Sequence, residues 1–155
     1  MTPQEFEALL APVAERVRGR AFDASLELDL NAEFGPRSAA FSGIVAACHA
    51  AIAAGWMCNR EGGGIKYGRV IKPAESLGGL SVDVVDMDTI KGPHHRHPNG
   101  EIDLIMPITP EARFDGRGAG WLVYGPGTAH YPTVSEGRAL VLYLLPGGAI
   151  EFTKS

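Results

Sequence analysis

The chain has 155 residues, 45% of them hydrophobic and 21% charged, a balance that fits one ordinary globular domain able to bury a core without disulfides. Its net charge of −4 includes no basic cluster, which argues against a nucleic-acid partner, and no apolar stretch reaches membrane-spanning length. Twenty glycines and eleven prolines favour a turn-rich β architecture, while two cysteines, Cys48 and Cys58, are too few for a disulfide framework and read as reduced thiols.

The first five residues lack the basic and apolar regions of a signal peptide, so a cytoplasmic protein is expected. Thr2 and Glu5 then form a capping box around Pro3, and Phe6, Leu9, Leu10, Val13 and Val17 follow at helical spacing. Leu26, Leu28 and Leu30 alternate with Glu27 and Asp29, which predicts a short extended segment. A second helix is expected from about Ser38, carried by Phe41, Ile44, Val45, Cys48 and Ile52 and stopped by Gly55. His49 lies beside that stripe and reads as a structural or surface histidine. The run Glu61-Gly62-Gly63-Gly64 lacks the Gly-Lys-Ser/Thr ending of a phosphate loop and reads as a mobile connector, with a lid as the alternative. Beyond it come candidate strands at 65–71, 80–87, 94–97, 101–107, 120–124, 139–145 and 150–153, the spacing of a sandwich or small barrel. The expectation is one domain over 1–155, with residues 1–55 as a helical extension packed on a barrel formed by 56–155.

The chemistry concentrates in His94-His95-Arg96-His97-Pro98-Asn99-Gly100-Glu101 and in Gly125-Pro126-Gly127-Thr128-Ala129-His130. His95 and His97 stand two apart and project from one face of a strand, Glu101 follows a short turn, and His130 can join them from a second hairpin. Three imidazoles and a carboxylate suit a divalent transition metal, and residue type does not choose among iron, manganese, zinc, nickel and cobalt. His94 has the opposite strand parity and is expected to point outward. Nothing beside Cys58 argues for an activated nucleophile.

The pattern His-x-His-x-x-x-Glu followed by Gly-x-x-His resembles the two motifs of the cupin family. The resemblance implies a cupin-type β-barrel, a small jelly roll, with His95, His97, Glu101 and His130 converging inside it as metal ligands. The chain departs from the family where Gly125 takes a usual proline position and Pro107 a usual glycine position, which leaves the turn geometry open. The segment from Gly43 to Thr153 is also similar to the bacterial 4-hydroxylaminobenzoate lyases. That similarity rests on the run from His94 to Pro107, on Trp121-Leu122-Val123-Tyr124 and on Leu142-Tyr143-Leu144-Leu145-Pro146-Gly147-Gly148. It implies conversion of 4-hydroxylaminobenzoate to 3,4-dihydroxybenzoate with release of ammonia, in nitroaromatic breakdown.

A substrate of that class carries a carboxylate, which calls for a fixed cation. Arg69 is the first candidate because it shares strand parity with Tyr67 on a segment expected to line the barrel, and Lys66 and Arg96 are alternatives. Tyr67, Tyr124 and Tyr143 are candidates to flank the aromatic ring or donate a proton. Glu101 and His130, beside an open coordination position, and Tyr143 complete the catalytic set, with Glu101 able to serve as ligand or as general base. Glu75 reads as an exposed loop carboxylate. A metal-dependent dioxygenase, a sugar isomerase or a non-catalytic small-molecule sensor on the same scaffold are the rival readings. Open sheet edges lead to the expectation of a homodimer.

Overall fold

Among the described residues, 1–154, a computed structural model places three helices ahead of ten strands. Helix α1 (Pro3–Val17) begins with the expected capping box: the Thr2 N–H donates to Glu5 Oε1 at 2.9 Å and the Glu5 N–H to Thr2 Oγ1 at 3.1 Å. Helix α3 (Ala39–Ala54) is capped by Ser38, whose hydroxyl accepts from the Phe41 N–H at 3.1 Å, and ends at Gly55 with a φ of 89°.

The segment expected to be extended is instead helix α2 (Ala24–Phe34). Asp23 caps it by accepting the Leu26 N–H at 3.0 Å, and Leu26, Leu30 and Phe34 are buried at four-residue spacing while Leu28 is 72% exposed. An i, i+2, i+4 leucine pattern satisfies both periods when the middle residue is left in water, and here the cap and Phe34 decide for the helix.

The strands are β1 (Arg60–Gly62), β2 (Ile65–Ile71), β3 (Leu80–Lys91), β4 (His95–His97), β5 (Glu101–Pro107), β6 (Arg113–Phe114), β7 (Gly120–Tyr124), β8 (Thr128–His130), β9 (Thr133–Pro146) and β10 (Glu151–Phe152). They form a large sheet in the order β1-β2-β3-β9-β5-β7, with β6 also on β9, and a small sheet in the order β10-β4-β8; every pairing is antiparallel. Two antiparallel sheets behind an amino-terminal helical layer match the expected small barrel with a helical extension. Strands β3 and β9 outrun the expected spans because each carries a residue of positive φ, Thr89 at 41° and Glu136 at 62°, that breaks the alternation without ending the pairing. The glycine run is not a loose connector. Gly62 closes β1, Gly63 and Gly64 make a tight turn at φ 58° and 82°, and Ile65 opens β2.

Alternation on the large sheet separates two cores. Val82, Val84, Ile102, Leu104, Leu142 and Leu144 face outward under the helices, while Ile105, Val141, Leu145 and Phe114 face the barrel interior. Helix α2 also closes the edge at β7. Asn31 accepts the Trp121 N–H at 2.8 Å and donates to the Trp121 carbonyl at 2.9 Å, and Glu27 accepts the Val123 N–H at 2.9 Å.

Candidate metal centre

Strand register brings the four predicted ligands together. His95 lies directly opposite His130 across the β4–β8 pair, and His97 lies opposite Thr128, so all of these side chains share the face that looks into the barrel. The chain then crosses from the small sheet to the large one at Pro98-Asn99-Gly100, and Glu101 is the first residue of β5. Gly100 has a φ of 87°, and a Cβ there would sit 2.6 Å from the Phe22 ring and 2.9 Å from the Tyr124 carbonyl, so the crossing requires glycine.

One ligand atom from each of His95, His97, Glu101 and His130 lies within 4.8 Å of the others. His95 Nε2 is 3.1 Å from His130 Nε2, and His97 Nε2 is 3.1 Å from Glu101 Oε2. His95, His97 and Glu101 are at most 2% exposed, and the His130 side chain is 12% exposed. His97 Nε2 and both Glu101 oxygens are buried with no hydrogen-bond partner among the described residues. Buried polar atoms are almost always satisfied, so three orphans meeting at one point fit a cation as their common partner. The tautomers agree. The Thr128 hydroxyl donates to the Gly125 carbonyl at 2.7 Å, which leaves its oxygen to accept the His97 Nδ1–H at 3.0 Å and turns the bare Nε2 of His97 inward. The donor set of three imidazoles and a carboxylate suits a divalent transition ion.

Carboxylates around the cluster were not all foreseen. Asp103, two residues along β5 on the same face, is fully buried with neither oxygen partnered. Burial, with the Glu101 charge beside it, pushes its carboxyl well above the usual range. Burial acts upward on Glu101 as well, but the imidazoles of His95 and His97 outweigh it and hold Glu101 ionised. Asp115, on the turn after β6, places Oδ2 2.5 Å from both His130 Nδ1 and the Tyr124 hydroxyl and accepts the Thr133 N–H on Oδ1 at 2.9 Å. Burial raises its pKa, and these three donors more than offset that, leaving it below the ordinary value. Asp103 had a signal in the sequence: an acidic residue inside the otherwise apolar run Ile102-Asp103-Leu104-Ile105-Met106. Asp115, in the ordinary turn sequence Phe114-Asp115-Gly116-Arg117, had none.

The other sequence candidates distribute unevenly. Tyr124 stacks on His97 with ring centroids 5.4 Å apart, and Tyr143 stands 6.4 Å from the His95 ring, its phenol held protonated by burial and the surrounding carboxylates. Arg69 shares an inward row with Asp83, Tyr143 and Asp103 across β2, β3, β9 and β5. Its Nε and Nη2 donate to Asp83 at 3.0 and 3.2 Å, and Nη2 also reaches the Gly148 carbonyl at 3.0 Å. Tyr67, on the same face of β2, is 40% exposed. Arg96 lies on the opposite face of β4 from the ligands, paired with Glu151 at 3.2 Å. His94 contacts the Thr153 hydroxyl and the Tyr131 ring, away from the cluster. Cys58 is buried with its thiol pushed up to about 12 by desolvation and the nearby Asp86, the opposite of an activated nucleophile.

Residues 8–152 match the family model described as PnbB, 4-hydroxylaminobenzoate lyase. Two relatives carry the name 4-hydroxylaminobenzoate lyase. One, from Nocardioides sp. (strain LMS-CY), is 31% identical over 97% of this chain and 95% of its own length. The other, from Pseudomonas putida, is 30% identical over 88% of each. Among solved structures, an RmlC-like cupin protein of Ralstonia eutropha JMP134 superposes with a TM-score of 0.41 at 12% identity, covering 55% of this chain and 57% of its own. With the family model spanning nearly the whole chain and two relatives of that name 31% and 30% identical over most of its length, the protein belongs to the 4-hydroxylaminobenzoate lyase family.

Proposed function

We propose that the protein converts 4-hydroxylaminobenzoate to 3,4-dihydroxybenzoate with release of ammonia, at a divalent transition ion held by His95, His97, Glu101 and His130. One observation carries the reading: in a chain of this lyase family, the buried and otherwise unpartnered His97 Nε2 and Glu101 oxygens meet two further imidazoles inside the barrel. The reaction balances without an oxidant, since substrate and one net water contain the atoms of dihydroxybenzoate and ammonia. The N–O bond breaks with its oxygen leaving as water, one water adds to the ring carbon beside the nitrogen-bearing carbon, and a second hydrolyses the resulting imine. A bound divalent ion supplies Lewis acidity toward the leaving oxygen or the entering water.

The chain's own residues supply the rest of the proposal. Tyr143 keeps its phenol proton because burial disfavours the phenolate, so it can donate to the departing oxygen. Arg69 takes the substrate carboxylate. Its Nη1 has no acceptor among the described residues, and its backbone stands three strand spacings from Asp103, about 14 Å, a gap that an extended arginine and a para-disubstituted ring can span. Tyr67 and Tyr124 flank the ring.

The test is an anaerobic incubation of the purified protein with 4-hydroxylaminobenzoate. Dihydroxybenzoate and ammonia are expected in equal amounts, the activity lost on chelation and restored by the ion, and phenylhydroxylamine, lacking the carboxylate, is expected to show a raised Michaelis constant. Full turnover by a verified metal-free preparation sinks the metal's part, and a requirement for oxygen without ammonia release sinks the lyase reading in favour of a dioxygenase.

A further inference from the structure

Asp115 is placed by the fold with unusual completeness. It sits at φ 50°, in the left-handed region that non-glycine residues seldom occupy, on the turn between β6 and β7. Its backbone N–H donates to the Thr133 carbonyl at 2.8 Å, and its Oδ1 accepts the Thr133 N–H at 2.9 Å, so β9 grips it from both ends. The remaining oxygen, Oδ2, faces two donors at once, His130 Nδ1 and the Tyr124 hydroxyl, each at 2.5 Å. The Tyr124 ring in turn stacks on His97 and stands 4.7 Å from the His130 ring.

We infer that Asp115 is the positioning residue of the metal centre, fixing His130 with its proton on Nδ1 and Nε2 bare toward the ligand cluster, and holding Tyr124 as a donor to itself. A carboxylate has no proton to give these partners, so both hydrogen bonds must run toward it. His130 is therefore committed to the tautomer a metal needs, and carboxylate-bound imidazoles of this kind are stronger ligands. Tyr124 is committed too: with its only proton on Asp115, its oxygen can accept from a bound molecule but not donate to it. One residue outside both histidine motifs thus sets the ligand state of one side chain and the hydrogen-bond polarity of another. The inference rests on the reading of the cluster as a metal site, though not on the reaction run there.

The decisive variant is Asp115→Asn. Its amide oxygen can keep the Thr133 bond, while the amide NH2 presents hydrogens where His130 and Tyr124 expect an acceptor, which drives His130 to the tautomer with its proton on Nε2. Protein loaded with cobalt(II) gives the readouts. In the wild type, proton NMR should show three strongly shifted, exchangeable imidazole N–H signals, the one from His130 protected from exchange by Asp115. In the variant that signal should vanish, and cobalt affinity by chelator competition should fall about 10- to 100-fold, while Tyr124→Phe keeps all three signals. An Asp115→Asn protein with wild-type affinity and three signals overturns the inference. Should that variant fail to fold, the wild-type spectrum alone decides, because a third N–H that exchanges as fast as free imidazole, or is missing, overturns it as well. Cobalt uptake with the predicted spectrum but no turnover of 4-hydroxylaminobenzoate leaves the inference standing and removes the proposed reaction; no cobalt uptake removes both.

Discussion

The two faces of the large sheet are made from the same strands and follow opposite rules. On the outer face, β3, β5 and β9 present Val82, Val84, Ile102, Leu104, Leu142 and Leu144 to the helices, and the one buried carboxylate there, Asp86, is gripped by Arg138 at 2.8 and 2.6 Å. On the inner face, one residue along the same strands, Glu101 and Asp103 are buried without a hydrogen-bond partner and face the three histidines. The inner face also pairs Asp83 with Arg69, so Glu101 and Asp103 are its exceptions: buried carboxyl groups left unpartnered in a fold that satisfies its other buried carboxylate fit a partner that is not protein. Stability is therefore stored mainly outside, and ligand chemistry inside, with the strand backbone as the shared wall.

Substitutions on the two faces should separate those roles. The largest stability effect is expected at Trp121, whose side chain is 1% exposed in the outer core and whose Nε1–H donates to the Phe34 carbonyl at 2.9 Å. Trp121→Ala should cost about 3–5 kcal/mol in denaturant unfolding, while the molecules that remain folded keep wild-type metal affinity. A loss of metal affinity without loss of stability would break the division between the faces.

Glu101→Gln is the converse. At an ion concentration 100 times its dissociation constant, the wild type should gain about 2.7 kcal/mol of stability from binding. The variant should gain almost none at that concentration and should lose about 100-fold or more in turnover, while its metal-free unfolding remains a single cooperative transition. Equal metal-induced stabilisation in the two proteins would remove Glu101 from the ligand set.

The same contrast explains what could be read in the sequence. His95, His97 and Glu101 are local in the chain, and their spacing alone puts them on one face beside a turn. His130 was legible as the second motif, because β8 needs only its pairing with β4 to deliver it. Asp103 sits in a run otherwise apolar, Ile102 to Met106, and the period-two alternation that places Glu101 and Ile105 inward carries it inward as well. Asp115 depends on contacts with Tyr124 and His130 that only the closed barrel creates. Helix α2 escapes the period argument because its leucines fit either period; the Asp23 cap and Phe34 decide for the helix, and Asn31 and Glu27 then fasten it to the edge of β7 about 90 residues along the chain.

The smallest expected effect concerns the two thiols, both on the dry side of the wall. Cys48 and Cys58 are each pushed up to about 12, chiefly by desolvation. An unfolded thiol ionises near its ordinary value of about 8.5, so between that pH and about 12 the unfolded chain loses protons that the folded chain keeps. The sign follows: these thiols contribute nothing to the pH dependence of stability below the unfolded value, and above it they stabilise the unfolded state progressively as pH rises. At pH 8 the native protein should therefore react with a thiol reagent only as fast as it opens, and both cysteines should titrate at once in denaturant. Rapid labelling of one thiol in the native state would mean that the outer core admits water beside β3, where Cys58 Sγ lies 3.5 Å from the Val84 carbonyl, and would weaken the contrast between a sealed face and a reactive one.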